Sequence, residues 1–173
     1  MSYQAAQRAF LHRETFRMSL AAAFQHVHIY SEQATERNRR AFADWLFVRT
    51  EITAEHYKRS VSESSHVKNI HSLAKDASLE FGHILASQAL GIGPAQKLLN
   101  LYLKYLWCLG EVMEPPHCPI DSIVLQSAGL AGKVSWSRIA TIEEYVIVVE
   151  QVRSRVQSSS LAKWELDVWN SAA

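Results

Sequence analysis

The segment GIGPAQKLLNLYLKYLW, residues 91–107, organises the reading of the whole chain. Gly91 and Gly93 allow a tight turn and a close backbone approach. Pro94 suits the first position of a helix, where its missing donor costs nothing. Leu98, Leu99, Leu101, Tyr102, Leu103, Tyr105, Leu106 and Trp107 then cover most of a helical circumference, the pattern of a central, buried helix. Lys97, Asn100 and Lys104 interrupt it at steps of three and four, so they share one face. Burying two cations without partners is costly. That face therefore either reaches solvent as a narrow strip or lines a polar cleft.

Outward from this segment, nearly everything carries helical periodicity. Residues 3–29 place Ala6, Phe10, Phe16, Leu20, Phe24 and Val27 on one side. Ser31 is expected to cap a second helix through Trp45 and Phe47, and Thr53 a shorter one through Tyr57. SVSESS, 60–65, has loop composition. A helix from His66 towards Leu90 is expected to stop at Gly91, and Gly110 to stop the one that starts at Pro94. EVMEPPHCP, 111–119, cannot be regular helix with Pro115, Pro116 and Pro119 in it. Asp121 or Ser122 caps a helix through Leu125, and Gly129 to Gly132 breaks it. Thr141 with Glu144 three residues on is a capping-box start for a Val/Ile-rich helix to about Val156. Ser158–Ser160 separates this from a last helix holding Trp164 and Trp169. The expected class is all-α: one compact helical domain over 1–173, with an N-terminal helical part (1–75), a central element (85–128) and C-terminal helices (141–173).

The 173 residues are enough for a real core, and 48% hydrophobic with 20% charged residues excludes a disordered chain. No apolar run approaches the ~20 residues that cross a membrane. The N-terminus lacks the apolar core and cleavage site of a signal peptide, so a cytoplasmic protein without a membrane partner is expected. Net charge is +1, but residues 1–75 carry eleven Lys/Arg against seven Asp/Glu, and residues 76–173 seven against ten. This basic bias permits a nucleic-acid surface but does not demand one, and solvated helix faces with a modest charge imbalance are the plainer account. Two cysteines, Cys108 and Cys118, make no disulfide framework. With His117 beside Cys118 and no second pair, no metal site or other cofactor is expected. His26 and His28, two apart on a helix, point in different directions.

Two local signals carry chemistry. The unpaired amides of Gly91, Gly93 and Ala95, if they face outward at the helix N-terminus, form a place for a DNA phosphate. The alternative is a plain connection between helices. Pro119-Ile120-Asp121-Ser122 puts a carboxylate at the start of an apolar helix, where it accepts backbone hydrogen bonds and benefits from the helix dipole.

Together, the glycine turn, a lysine early in the following helix and a Pro-hydrophobic-Asp-polar element resemble the helix–hairpin–helix DNA glycosylases. Gly93-Pro94-Ala95-Gln96-Lys97, with Asn100 and Lys104 beyond, is most similar to the archaeal 8-oxoguanine glycosylase branch, over about residues 85–128. The resemblance implies a central helix–hairpin–helix element. It implies Lys97 as the amine that attacks the sugar C1′ and forms a Schiff base, with Asp121 stabilising the developing sugar cation or assisting proton transfer. It implies DNA contacts from Gly91, Gly93, Ala95, Gln96, Asn100 and Lys104. A flipped base would stack on Tyr102 or Trp107, with Phe81 and Trp136 as further walls. The lysine falls two residues later than in many members, at 97 where they would have position 95, and the first 75 residues resemble no glycosylase half. The expected function is thus base excision with lyase activity on damaged or modified DNA. Two alternatives stand beside it: a non-enzymatic DNA-binding module, and a bacterial interaction or defence-accessory protein with a protein partner.

Overall fold

A computed structural model describes residues 2–156 and 158–172. Among these residues there are seven α-helices and no strand: α1 (Tyr3–Phe24), α2 (Glu36–Glu55), α3 (Glu63–Phe81), α4 (Ile92–Cys108), α5 (Ser122–Ser127), α6 (Ile142–Arg155) and α7 (Leu161–Ala172). Short 3-10 turns follow α2 (His56–Lys58) and α3 (Gly82–Ile84), and another precedes α6 (Trp136–Arg138). No helix among the described residues is long and apolar enough to cross a membrane.

Polar caps set most helix starts. Ser2 accepts from the Ala5 amide, and Ser62 from the Ser65 amide. Thr35 with Asn38 and Thr141 with Glu144 form capping boxes. The cap of α2 is therefore Thr35, not Ser31. Ser31 instead donates its amide to the Ile84 carbonyl beside an isolated antiparallel bridge, Tyr30 to Leu85. Thr53 starts nothing either: its hydroxyl donates back to the Arg49 carbonyl inside α2. α1 ends at Phe24, five residues early, and His26 at φ 68° turns the chain away. α3 begins inside the serine-rich stretch and stops at Phe81, well before Gly91. The α3–α4 connection, 82–91, is thus a long irregular link rather than a two-glycine hairpin. Gly82 is required there because a Cβ would lie 2.8 Å from the Gln88 carbonyl oxygen.

α4 is the axis of the molecule. It packs against α1, α2, α3, α6 and the 136–138 turn. Leu98, Leu99, Tyr102, Leu103 and Leu106 are buried on it, each contributing about 1.5–3 kcal/mol by burial. A second cluster of Phe24, Tyr30, Phe42, Trp45 and Phe81, at ring separations of 5.0–6.5 Å, joins α1, α2 and α3. α1 is also pinned by charge. His12 Nδ1 meets Glu51 at 2.9 Å, its Nε2 meets Glu111 at 2.5 Å, and Arg8 donates to the same Glu111 carboxylate. Arg17, Arg49 and Lys58 likewise face Glu14, Asp76 and Glu55. Much of the N-terminal positive charge is thus paired within the fold.

Candidate active site

The polar stripe of α4 is covered, and each of its members has a partner. Lys97 is 9% exposed, and its Nζ lies 3.4 Å from Asp121 Oδ2. The same ammonium sits 4.4 Å from the centroid of the Trp136 ring, a cation–π contact. Asp121 serves two elements at once. Its Oδ1 accepts from the Ile123 and Val124 amides at 3.0 Å and caps α5, while Oδ2 faces Lys97. Lys and Asp side chains are 11% and 16% exposed, so the pair opens to solvent at one edge.

Two turns further along the helix the motif recurs. Lys104 donates to Glu165 of α7 at 2.8 Å and lies 5.2 Å from the Trp169 ring centroid. Burial pushes the Glu165 carboxyl above the usual carboxylate range, opposed by its bond to Lys104. Its second oxygen, Oε2, is buried without a hydrogen-bond partner among the described residues.

On the same helix, Gln96 just before Lys97 and Asn100 between the lysines are fully buried. Gln96 clamps one peptide of the proline-rich segment: its Nε2 donates to the Ile120 carbonyl at 2.7 Å, and its Oε1 accepts from the Ile120 amide at 3.1 Å. This fixes the residue before Asp121 against the residue before Lys97. Asn100 donates to Gln96 Oε1 at 3.2 Å and to the Tyr145 hydroxyl at 3.1 Å.

Two of the three amides expected to contact DNA at this turn are spent inside the fold. The Gly93 amide donates to the Ile139 carbonyl at 3.0 Å, and the Ala95 amide to Gly91 at 3.2 Å. A Cβ on Gly93 would overlap the Trp136 carbonyl oxygen, so the glycine serves a close approach of protein backbone rather than of phosphate. Gly91 caps α4 through its backbone carbonyl. Gln96, Asn100 and Lys104 are committed internally, as above. Tyr102 is corrected as well: it is buried, and its hydroxyl donates to Glu51 on the α1–α2 side. Trp107 packs partly buried on the core, about 15 Å along the helix axis from Lys97. The aromatic surface beside Lys97 is Trp136.

Lys97 and Asp121, 24 positions apart and paired by the family resemblance, lie side by side in the fold. The sequence patterns give no role to Glu165, His66 or Tyr145, and weigh His117 only as a metal ligand. The signal for Glu165 was only general: two lysines on a greasy helix need carboxylates. Nothing in one sequence says which carboxylate arrives. The chain matches no protein-family model, no curated protein and no solved structure.

Proposed function

We propose that the chain is a base-excision enzyme of the glycosylase/lyase kind, acting on a damaged or modified base in DNA, with Lys97 as nucleophile and Asp121 as its proton partner. The observation that carries this reading is the 3.4 Å approach of Lys97 Nζ to Asp121 Oδ2, at an edge open to solvent and beside the Trp136 indole.

A lysine attacks only as the free amine. Asp121 is placed to take the ammonium proton. Nζ then bonds to the sugar C1′ while the C1′–base bond breaks. The bonding pair leaves with the base, which takes up the proton held by Asp121. The C1′–O4′ bond then breaks as an Nζ proton passes to O4′, and the ring-opened sugar is left as a protonated Schiff base on Nζ. Loss of a C2′ proton expels the 3′-phosphate and nicks the strand, and water releases the lysine. Gln96 acts as a positioning residue through its clamp on Ile120.

The amides of Gly93 and Ala95 are used inside the fold, which counts against a simple hairpin DNA-binding module built on those two donors. Phosphate contacts fall instead to Lys133 and Arg138, both exposed on the segment that carries Trp136.

The test uses oligonucleotides carrying 8-oxoguanine, other lesions or abasic sites, reading released base by mass spectrometry and strand scission on gels. The expected result is excision or nicking that falls by about 100-fold or more in Lys97→Met and Asp121→Asn. Binding should weaken and its salt slope become shallower in Lys133→Glu/Arg138→Glu. No product from any lesion, or unchanged product with Lys97→Met, rejects the mechanism.

A further inference from the structure

The first two helices turn an apolar face away from the core. α1 buries Phe16, Ser19 and Ala23, and α2 buries Phe42, Leu46, Thr50 and Ala54. With 3.6 residues per turn, the opposite side of α1 carries Tyr3, Phe10, Glu14 and Arg17, and that of α2 carries Asp44, Val48, Ile52 and Glu55. Tyr3 is 80% exposed, Phe10 64%, and Val48 and Ile52 53% each. Tyr3, Phe10 and Leu11 also line a shallow groove along α1.

Three contacts set the register of the two helices. His12 meets Glu51 at 2.9 Å, the Phe16 ring lies 5.1 Å from the Phe47 ring, and Arg13 reaches Asp44 at 4.0 Å. The helices therefore run antiparallel, with Phe10 level with Ile52 and Arg17 level with the turn from Asp44 to Val48. Charge around the apolar patch is sorted by helix. Glu14, Asp44 and Glu55 balance Arg13, Arg17 and Lys58, with two of the cations on α1 and two of the carboxylates on α2. Arg13, Arg17, Asp44 and Glu55 are each at least half exposed. Their contacts within the chain are surface pairs of little net worth, free to exchange partners.

We propose that this face binds a second copy of the chain, about a two-fold axis running along the seam between α1 and α2. That axis lays α1 of one protomer over α2 of the other at the same level. Phe10 then packs on the partner's Ile52, and Arg17 meets the partner's Asp44. A neutral face with cations on one helix and carboxylates on the other complements its own two-fold copy, whereas a nucleic acid would meet three carboxylates there. Two helices about 30 Å long and about 10 Å wide offer roughly 600 Å² per partner, against roughly 800 Å² in a standard interface. The dimer is thus a reversible one, with a Kd in the roughly micromolar range. The face looks away from α4, and the inference does not depend on whether Lys97 is a nucleophile.

Sedimentation equilibrium of the intact chain from about 1 to 300 µM tests it. The expected result is a monomer–dimer equilibrium without larger species, because a two-fold contact closes on itself. Phe10→Glu should weaken association by about tenfold or more, with helix content by circular dichroism unchanged. Arg17→Glu and Asp44→Arg should each weaken it alone, and an equimolar mixture of these two variants should regain the affinity of the unsubstituted chain as a heterodimer. A chain still monomeric at about 300 µM, whatever lipid or other protein its face captures, overturns the proposal. So does a dimer that Phe10→Glu or the single charge reversals leave intact, or a pair of charge-reversed variants that fails to recombine.

Discussion

At position 93 there is no room for a side chain, because the Trp136 carbonyl oxygen occupies the space a Cβ would need and the Gly93 amide is spent on Ile139. Gly93→Ala should therefore destabilise the protein by about 1–3 kcal/mol, the usual cost of overpacking, measured by urea denaturation. A loss below about 0.5 kcal/mol would mean that the 136–139 segment is not seated on the turn. Asp121 carries two roles that substitution can separate. Asparagine keeps the helix cap but not the charge, whereas alanine loses both. Since a cap is typically worth about 1 kcal/mol, Asp121→Ala should be less stable than Asp121→Asn by roughly that amount, and equal stabilities would deny the capping role. The residues that carry these roles were legible to different degrees. Lys97 and Asp121 stood out because each breaks an apolar pattern at a place where local rules give it a purpose. The Gly91–Gly93 turn leaves two readings open because its composition suits phosphate and protein backbone alike. Only the position of residues 136–139, far along the chain, decides between them.

α4 was the most legible element, since its apolar girth requires partners on nearly every side and α1, α2, α3 and α6 supply them. The identity of what covers its polar stripe depends on α7, and no local pattern says which face of the molecule that helix docks against. Lys104 and Glu165 form a buried pair, with Glu165 Oε2 unpartnered among the described residues. Breaking such a pair from one side is expensive, while replacing both members by apolar residues is often neutral or stabilising. Glu165→Leu alone should cost about 3 kcal/mol. The double variant Lys104→Met/Glu165→Leu should lie within about 1 kcal/mol of the unsubstituted protein or above it. A double-mutant cycle in guanidinium checks this, and additive losses would show that the pair is not coupled. The ends of α1 and α3 were misplaced for a related reason: helical periodicity continues past Phe24 and Phe81, but the Tyr30–Leu85 bridge and the packing around Gln88 stop the helices first.

For the whole molecule, pH is the most revealing variable. Burial lowers the pKa of His66 to about 3, with His117 adding to the fall and Asn100 opposing it. Burial also lowers the pKa of His117 to about 4, with Arg153 contributing. Both stay neutral in the fold at pH values where an unfolded histidine, with its pKa near 6.5, is already charged. Above about pH 6.5 neither state binds the extra protons and there is no penalty. As pH falls from about 6.5 towards 4 the unfolded state binds more, and stability drops by up to about 1.4 kcal/mol per pH unit for each histidine. Denaturation midpoints across this range should show that slope, and His66→Gln/His117→Gln should flatten it. A stability independent of pH over the same window would contradict the burial of neutral imidazoles. Fold class and the central helix thus follow from sequence rules that act within a helix or at its caps, whereas the pairing of Lys97 with Asp121 was implied only by the family resemblance. The hydrogen bonds of His66 with Tyr57 and of His117 with Tyr145, and the covering of the stripe, follow from contacts between distant segments, which no single-helix rule contains.

The claim that Lys97 is a nucleophile is tested most directly by trapping with borohydride on abasic-site DNA, followed by peptide mapping of the reduced adduct. The account predicts one covalent adduct, on the peptide carrying Lys97 and lost in Lys97→Met. No adduct, or an adduct on Lys104 or another lysine that survives this substitution, would contradict it.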